Sequence, residues 1–145
     1  MESADLALDR FRQGYSCAQS VFSVLAERRG VETDVAFRIA AGLGGGICRS
    51  AQTCGCVTGA ILAVGLGQQD VSVEGNRAAR EVTYAAGRRF LSEFAARHGS
   101  TLCRELMGCD IGTPEGMEQA RREDLFRRCC AQFVRDAVEL VAPRP

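Results

Sequence analysis

The chain has no lysine, one histidine and no charge excess of either sign: its 18 basic residues are all arginine and are balanced by 18 acidic ones. Without a global field, nothing draws it to nucleic acid or to an anionic membrane surface. It lacks a long apolar run, so no segment approaches the ~18 apolar residues of a membrane span. The opening "MESADLALDRFRQG" carries acids early and has no apolar core, and so does not read as a secretion signal. A cytoplasmic protein is the expectation. Also missing is any CxxC pair, which leaves a thioredoxin-type motif, a zinc ribbon and a ferredoxin-type run unsupported; without CxxCH there is no c-type haem attachment. The lone His98 stands at a helix end, where an exposed or carbonyl-bonded imidazole is expected. No Ser/His/Asp or Cys/His pairing follows from the spacing, which argues against a hydrolase.

What the chain does have is cysteine: eight in 145 residues, at 17, 48, 54, 56, 103, 109, 129 and 130. A chain of this length buries a core without staples, and a reducing cytosol does not favour structural disulfides. Metal binding and thiol redox chemistry therefore gain weight. Three of the eight fall in "GGGICRSAQTCGCVTG", residues 44–59. "GLGGG" lacks the GK[ST] ending of a phosphate loop and reads as a turn.

Apolar residues recur at three and four positions, which predicts an all-α, single-domain helical bundle of about six to eight helices over residues 1–145. Ala4, Leu8, Phe11 and Tyr15 form a first stripe that bends or stops at Gly14. Ser16 caps a second helix that ends before Gly30, and Thr33 caps a short third one. Thr53 is the expected cap of "CGCVTGAILAVGLG", where Gly55, Gly59 and Ala63 lie four apart and admit a close neighbour, either inside the chain or across a homodimer. Residues 73–98 form the longest amphipathic segment, with Val82, Ala86, Phe90, Leu91 and Phe94 on its apolar face. Ser100 or Thr101 starts "LCRELMG", Thr113 and Pro114 start another helix, and Cys130, Phe133, Val134, Ala137, Val138 and Val141 make the last stripe.

Three predicted helix starts thus carry a hydroxyl cap followed by cysteine: Ser16 with Cys17, Thr53 with Cys54, and Ser100 with Cys103. The unpaired N–H groups and partial positive charge of a helix N-terminus lower a thiol pKa and stabilise a thiolate, free or metal-bound. Each coincidence alone is the ordinary packing of a small buried residue. Their recurrence is what points to a site.

Together "GYSCAQSVF", "GLGGGICR", "TCGCVTGAILAVGLG", "CRELMGCDIGTPEG" and "CCAQFVRDA" resemble the C_GCAxxG_C_C family, small redox-active proteins named for their cysteine pattern, from about Leu8 to Val141. The resemblance places the family's four cysteines on Cys17, Cys54, Cys103 and Cys130, and its glycine motif on Gly55 and Gly59. It departs at Cys48 and Cys56, where relatives resemble "GGGxGR" and "CGAxxG". These two either replace small residues or enlarge the thiol site around Cys54. Cys109 and Cys129 lie outside the four and are expected to be structural. Related domains also occur in split-Soret-type cytochromes, whose cysteine-rich region is credited with holding an iron–sulfur cluster.

Three readings share the same residues. The first is an iron–sulfur cluster on Cys17, Cys54, Cys103 and Cys130, with Gly44, Gly45, Gly46 and Gly55 offering backbone N–H groups to it, for electron transfer or redox sensing with a partner redox protein. In the second, no metal is bound and Cys17 or Cys54 attacks a disulfide or oxidant, resolved by a cysteine distant in sequence. Cys54 and Cys56 are expected to point to different sides of one helix and so to be poor partners. Structural zinc ranks last, because its sites usually carry a close ligand pair.

Overall fold

The computed structural model describes residues 2–141 and is all-α; the single domain expected over 1–145 reaches beyond these at both ends. The described residues form eight α-helices: α1 (Ser3–Gln13), α2 (Cys17–Glu27), α3 (Thr33–Ala40), α4 (Gly55–Leu66), α5 (Asn76–His98), α6 (Cys103–Met107), α7 (Pro114–Arg122) and α8 (Ala131–Val141). A 3₁₀ turn, Ala41–Leu43, follows α3, and a π turn, Phe126–Cys130, leads into α8. No helix among these residues is long and apolar enough to cross a membrane.

The centre of the bundle is α2, whose residues Ala18 and Ser20–Ala26 are all buried. It packs against α1, α3, α4 and α8. Its start follows the predicted chemistry. Ser16 Oγ accepts from the Gln19 amide at 3.2 Å, and Gln19 Oε1 accepts from the Ser16 amide at 3.0 Å, a reciprocal capping box. Helix α4 lies on α2 through its small residues. A Cβ at Gly59 would come within 2.9 Å of the Ala18 carbonyl oxygen, and one at Gly55 within 2.4 Å of Cys17 Sγ. The Gly55–Gly59–Ala63 face is therefore covered from inside the chain.

Several expectations are corrected here. Thr53 does not cap α4; its backbone pairs with Leu102 in an antiparallel bridge, and Cys54, with ψ of 135°, occupies the cap position instead. Neither Ser100 nor Thr101 caps α6: Leu102 precedes it, and the Ser100 hydroxyl accepts from the Leu102 amide. Thr33 is the first residue of α3 rather than its cap, and its hydroxyl donates to Glu27. Of the three cap-plus-cysteine starts, only Ser16–Cys17 forms. On α5, Phe90 and Phe94 are buried but Val82 is 72% exposed and Leu91 is exposed too, since α5 packs mainly on α4 and α8.

His98 is neither free nor bonded to a carbonyl. Its ring packs between Phe94 and Phe133, with centroids 4.7 and 4.8 Å away. Nε2 lies 2.9 Å from Asp136 Oδ2 without hydrogen-bond alignment. Asp136 is buried in α8 and also accepts from Gln132 at 2.7 Å, so the end of α5 is fixed against α8.

Candidate functional site: a cysteine-lined cleft

Residues far apart in sequence reach one place through two local devices. The first is the bridge at Thr53 and Leu102. Around it the Cys54 amide donates to Thr101 O at 2.8 Å and the Cys103 amide to Gln52 O at 2.6 Å, tying the two cysteines' segments side by side. The second is a left-handed turn. Gly45, Gly46, Ile47, Cys48 and Arg49 all have positive φ, between 49° and 73°, and Ala51 follows at 59°. Side-chain-bearing residues in that region cost roughly 1–2 kcal/mol each, and such strain persists only where surrounding bonds hold it. Here the amides of Cys48, Arg49, Ala51 and Gln52 donate to the carbonyls of Gly42, Gly44, Gly45 and Gly46 at 2.8–3.0 Å. Gly44 lies so close to Ser16 that a Cβ would meet its side chain at 2.7 Å, which presses the turn against the start of α2.

Between these devices lies a cleft of about 650 Å³, lined by six cysteines: Cys17, Cys48, Cys54, Cys56, Cys103 and Cys130. Phe11, Tyr15, Met107, Phe126 and Phe133 supply apolar wall, and Arg49 and Arg121 add charge. Tyr15 is held in place by stacking on Phe37, with centroids 4.0 Å apart. Cys130 ends the π turn at the seam between two hydrophobic cores, packing on both. Interruptions of this kind in a helix often mark functional positions. Every cysteine is a free thiol.

The thiols differ sharply. Cys17 is half-buried at the first position of α2, and its pKa is lowered to about 7. A hydrogen bond with the Cys56 thiol is the main cause; burial opposes it, and the backbone N–H groups of Gly45, Ala18 and Gly55 add to it. Cys56, fully buried, is pushed well up, first by burial and then by its hydrogen bonds with Cys17 and Cys54. Cys103 is raised to about 12 by burial and by the fields of Cys54 and Cys17. Burial also raises Cys130, followed by the fields of Cys17, Cys54 and Cys103. The fields of Cys17 and Cys54 thus reach both Cys103 and Cys130 across one cleft.

Cys56 shows what the sequence reading missed. Cys54 and Cys56 were expected to diverge, but Cys54 stands at the cap with extended ψ rather than inside the helix, which leaves its thiol in reach of Cys56. Of the four glycines, Gly45 and Gly55 direct N–H groups at Cys17, whereas the carbonyls of Gly44 and Gly46 serve the turn's own hydrogen bonds. Cys48 lines the cleft but is exposed, with its thiol donating to Gly42 O at 3.3 Å. Cys109 is buried in the smaller core, its thiol raised by burial, and Cys129 packs beside it.

A family model described as "Putative redox-active protein (C_GCAxxG_C_C)" matches residues 15–143. The chain belongs to the C_GCAxxG_C_C family. Its match begins at Tyr15, at the rim of the cleft, and runs through every element that contributes a cysteine. No curated protein and no solved structure matches this C_GCAxxG_C_C chain.

The donor set bears on what the cleft can hold. Zinc bonded to sulfur at about 2.3 Å requires its ligands to close on one point, and no group of three or more Cys, His, Asp or Glu among the described residues is gathered to hold a metal ion in that way. Zinc thus gains no support. The cleft offers thiols as its metal donors, and an all-thiol donor set is the kind that iron–sulfur groups take.

Proposed function

We propose that this redox-active protein holds an iron–sulfur cluster on Cys17, Cys54, Cys103 and Cys130, and passes or senses electrons through it with another redox protein. One observation supports the reading: four thiols supplied by four separate segments line one cleft, and the fields of Cys17 and Cys54 reach both Cys103 and Cys130. Such a cluster, when bound, supplies one-electron chemistry at a potential set by its surroundings.

The chain's own groups have definite parts. Cys17 is nearly half ionised at neutral pH and is the first thiolate available. Cys103 and Cys130, held as thiols by burial, give up their protons only against a strong positive charge, so loading releases protons. The N–H groups of Gly45, Ala18 and Gly55 steady the Cys17 sulfur as an acceptor. Phe11, Phe126 and Phe133 exclude water from the walls.

Anaerobic purification followed by iron, zinc and acid-labile sulfide analysis tests this. Brown protein with near-stoichiometric iron and sulfide, lost on Cys54→Ser, is the expected result. Colourless, metal-free protein whose thiols oxidise and reduce reversibly would contradict it and favour thiol–disulfide exchange.

A further inference from the structure

Cys56 is in the cleft, is fully buried, and has no place in the four-thiol set. Cys17, from a different helix, has its sulfur against Gly55, the residue before Cys56. We propose that Cys17 and Cys56 form a two-electron dithiol couple, and that closing it to a disulfide withdraws Cys17 from the cluster's ligands. The second half rests on the cluster reading; the first does not.

The geometry favours this pair over the alternatives. The Cys17 sulfur lies against the backbone at Gly55, so near that a Cβ there would stand 2.4 Å from it, and Cys56 is the next residue. The two side chains are presented by α2 and α4, which pack closely through Ala18 and Gly59. Cys54 also contacts Cys56, but a bridge spanning a single residue at a helix start departs from relaxed disulfide geometry. Cys103 faces Met107, with sulfurs 3.8 Å apart. Cys17 is the more exposed member of the pair and receives three backbone N–H groups, so it is the attacking sulfur; Cys56, behind it, resolves.

The oxidant is a small disulfide, RSSR, entering the cleft. Cys17 thiolate attacks one of its sulfurs: a Cys17–SR bond forms, the RS–SR bond breaks, and RS⁻ leaves with the bonding pair. Cys56 releases its proton to the departing thiolate, and its sulfur attacks Cys17 Sγ, forming the protein disulfide and expelling the second RS⁻, which takes up the proton left by Cys17. The dithiol loses two electrons and two protons, and RSSR becomes two RSH.

The test equilibrates the reduced, metal-free full chain in glutathione redox buffers, quenches with acid and maps disulfides by tandem mass spectrometry. In parallel, reduced wild type, pre-oxidised wild type and Cys56→Ala, reduced and pre-oxidised, are reconstituted anaerobically with iron and sulfide. The expected result is a Cys17–Cys56 link, at least a tenfold loss of cluster loading on pre-oxidation, full recovery with dithiothreitol, and loading of Cys56→Ala that pre-oxidation reduces less than twofold. No Cys17–Cys56 link in buffers that oxidise an ordinary dithiol, or a Cys17–Cys54 link instead, overturns the couple. A correct link with loading unaffected overturns the switch. A correct link in a protein that never takes up iron upholds the couple and sinks the cluster reading. Circular dichroism of Cys56→Ala confirms its fold, and Cys56→Ser, with similar volume and no disulfide chemistry, must load after pre-oxidation as Cys56→Ala does; insensitivity confined to the alanine would overturn the assignment.

Discussion

Cys17 and Cys56 share one hydrogen bond that moves their thiols in opposite directions, Cys17 down to about 7 and Cys56 well up. The consequence is selective reactivity. In reduced, metal-free protein, alkylation of Cys17 by iodoacetamide should accelerate as pH rises through about 7, from about a tenth of its plateau at pH 6 to about nine-tenths at pH 8. Cys103, raised to about 12, should stay unlabelled over the same range. Replacing Cys56 with alanine removes the main cause of the shift, so the Cys17 profile should move to higher pH. Peptide-resolved mass spectrometry reads all three; a Cys17 midpoint near 9 would contradict the account. The sequence hides this pairing, because a two-residue offset between Cys54 and Cys56 implies divergence only where both are helical. Cys54 lies just outside the helix, and side chains from another element decide who meets Cys56. The cap at Ser16 was readable because every atom of that motif comes from four consecutive residues.

Two elements around the cleft set close tolerances. On the α2–α4 contact, Gly55→Ala places a methyl 2.4 Å from Cys17 Sγ, and Gly59→Ala places one 2.9 Å from the Ala18 carbonyl. Each should destabilise the fold by about 1–3 kcal/mol in urea unfolding, and Gly55→Ala should also slow Cys17 alkylation. Wild-type behaviour in both would refute the close approach. In the left-handed turn, Cys48 at φ 49° is strained, and glycine there should raise stability by about 0.5–1 kcal/mol, read as a higher urea midpoint. The close-packed glycines of α4 were foreseen from their four-residue spacing. The turn was not, because Ile47, Cys48 and Arg49 are residue types that ordinarily avoid positive φ, and what holds them is a set of backbone bonds spanning five and six residues and the distant contact of Gly44 with Ser16. The same blindness applied to Thr53, which has a cap's side chain but whose backbone is taken by Leu102.

At the scale of the molecule, the bundle brings cysteines 17, 54, 103 and 130 together without a local motif joining any two of them. Helical periodicity was enough for the all-α fold, since the core stripes of α2 and α8 follow it closely. Which stripes stay uncovered was not readable, as Val82 on α5 shows, because that depends on how many neighbours a helix acquires. The join of α5 to α8 includes buried Asp136, and Asp136→Ala should cost about 1 kcal/mol by removing the bond from Gln132 and the close contact with His98; an unchanged thermal midpoint would argue against that role. Because Phe133 lies against both His98 and the cleft, the variant should also loosen the cleft wall.

The most direct measurement is iron and acid-labile sulfide per chain in anaerobically reconstituted single variants of all eight cysteines, each checked for its fold by circular dichroism. Serine at 17, 54, 103 or 130 should abolish or sharply lower loading, while alanine at 48, 56, 109 or 129 should leave reduced protein near the wild-type level. Equal loading across all eight, or none in wild type, would contradict a cluster on these four thiols.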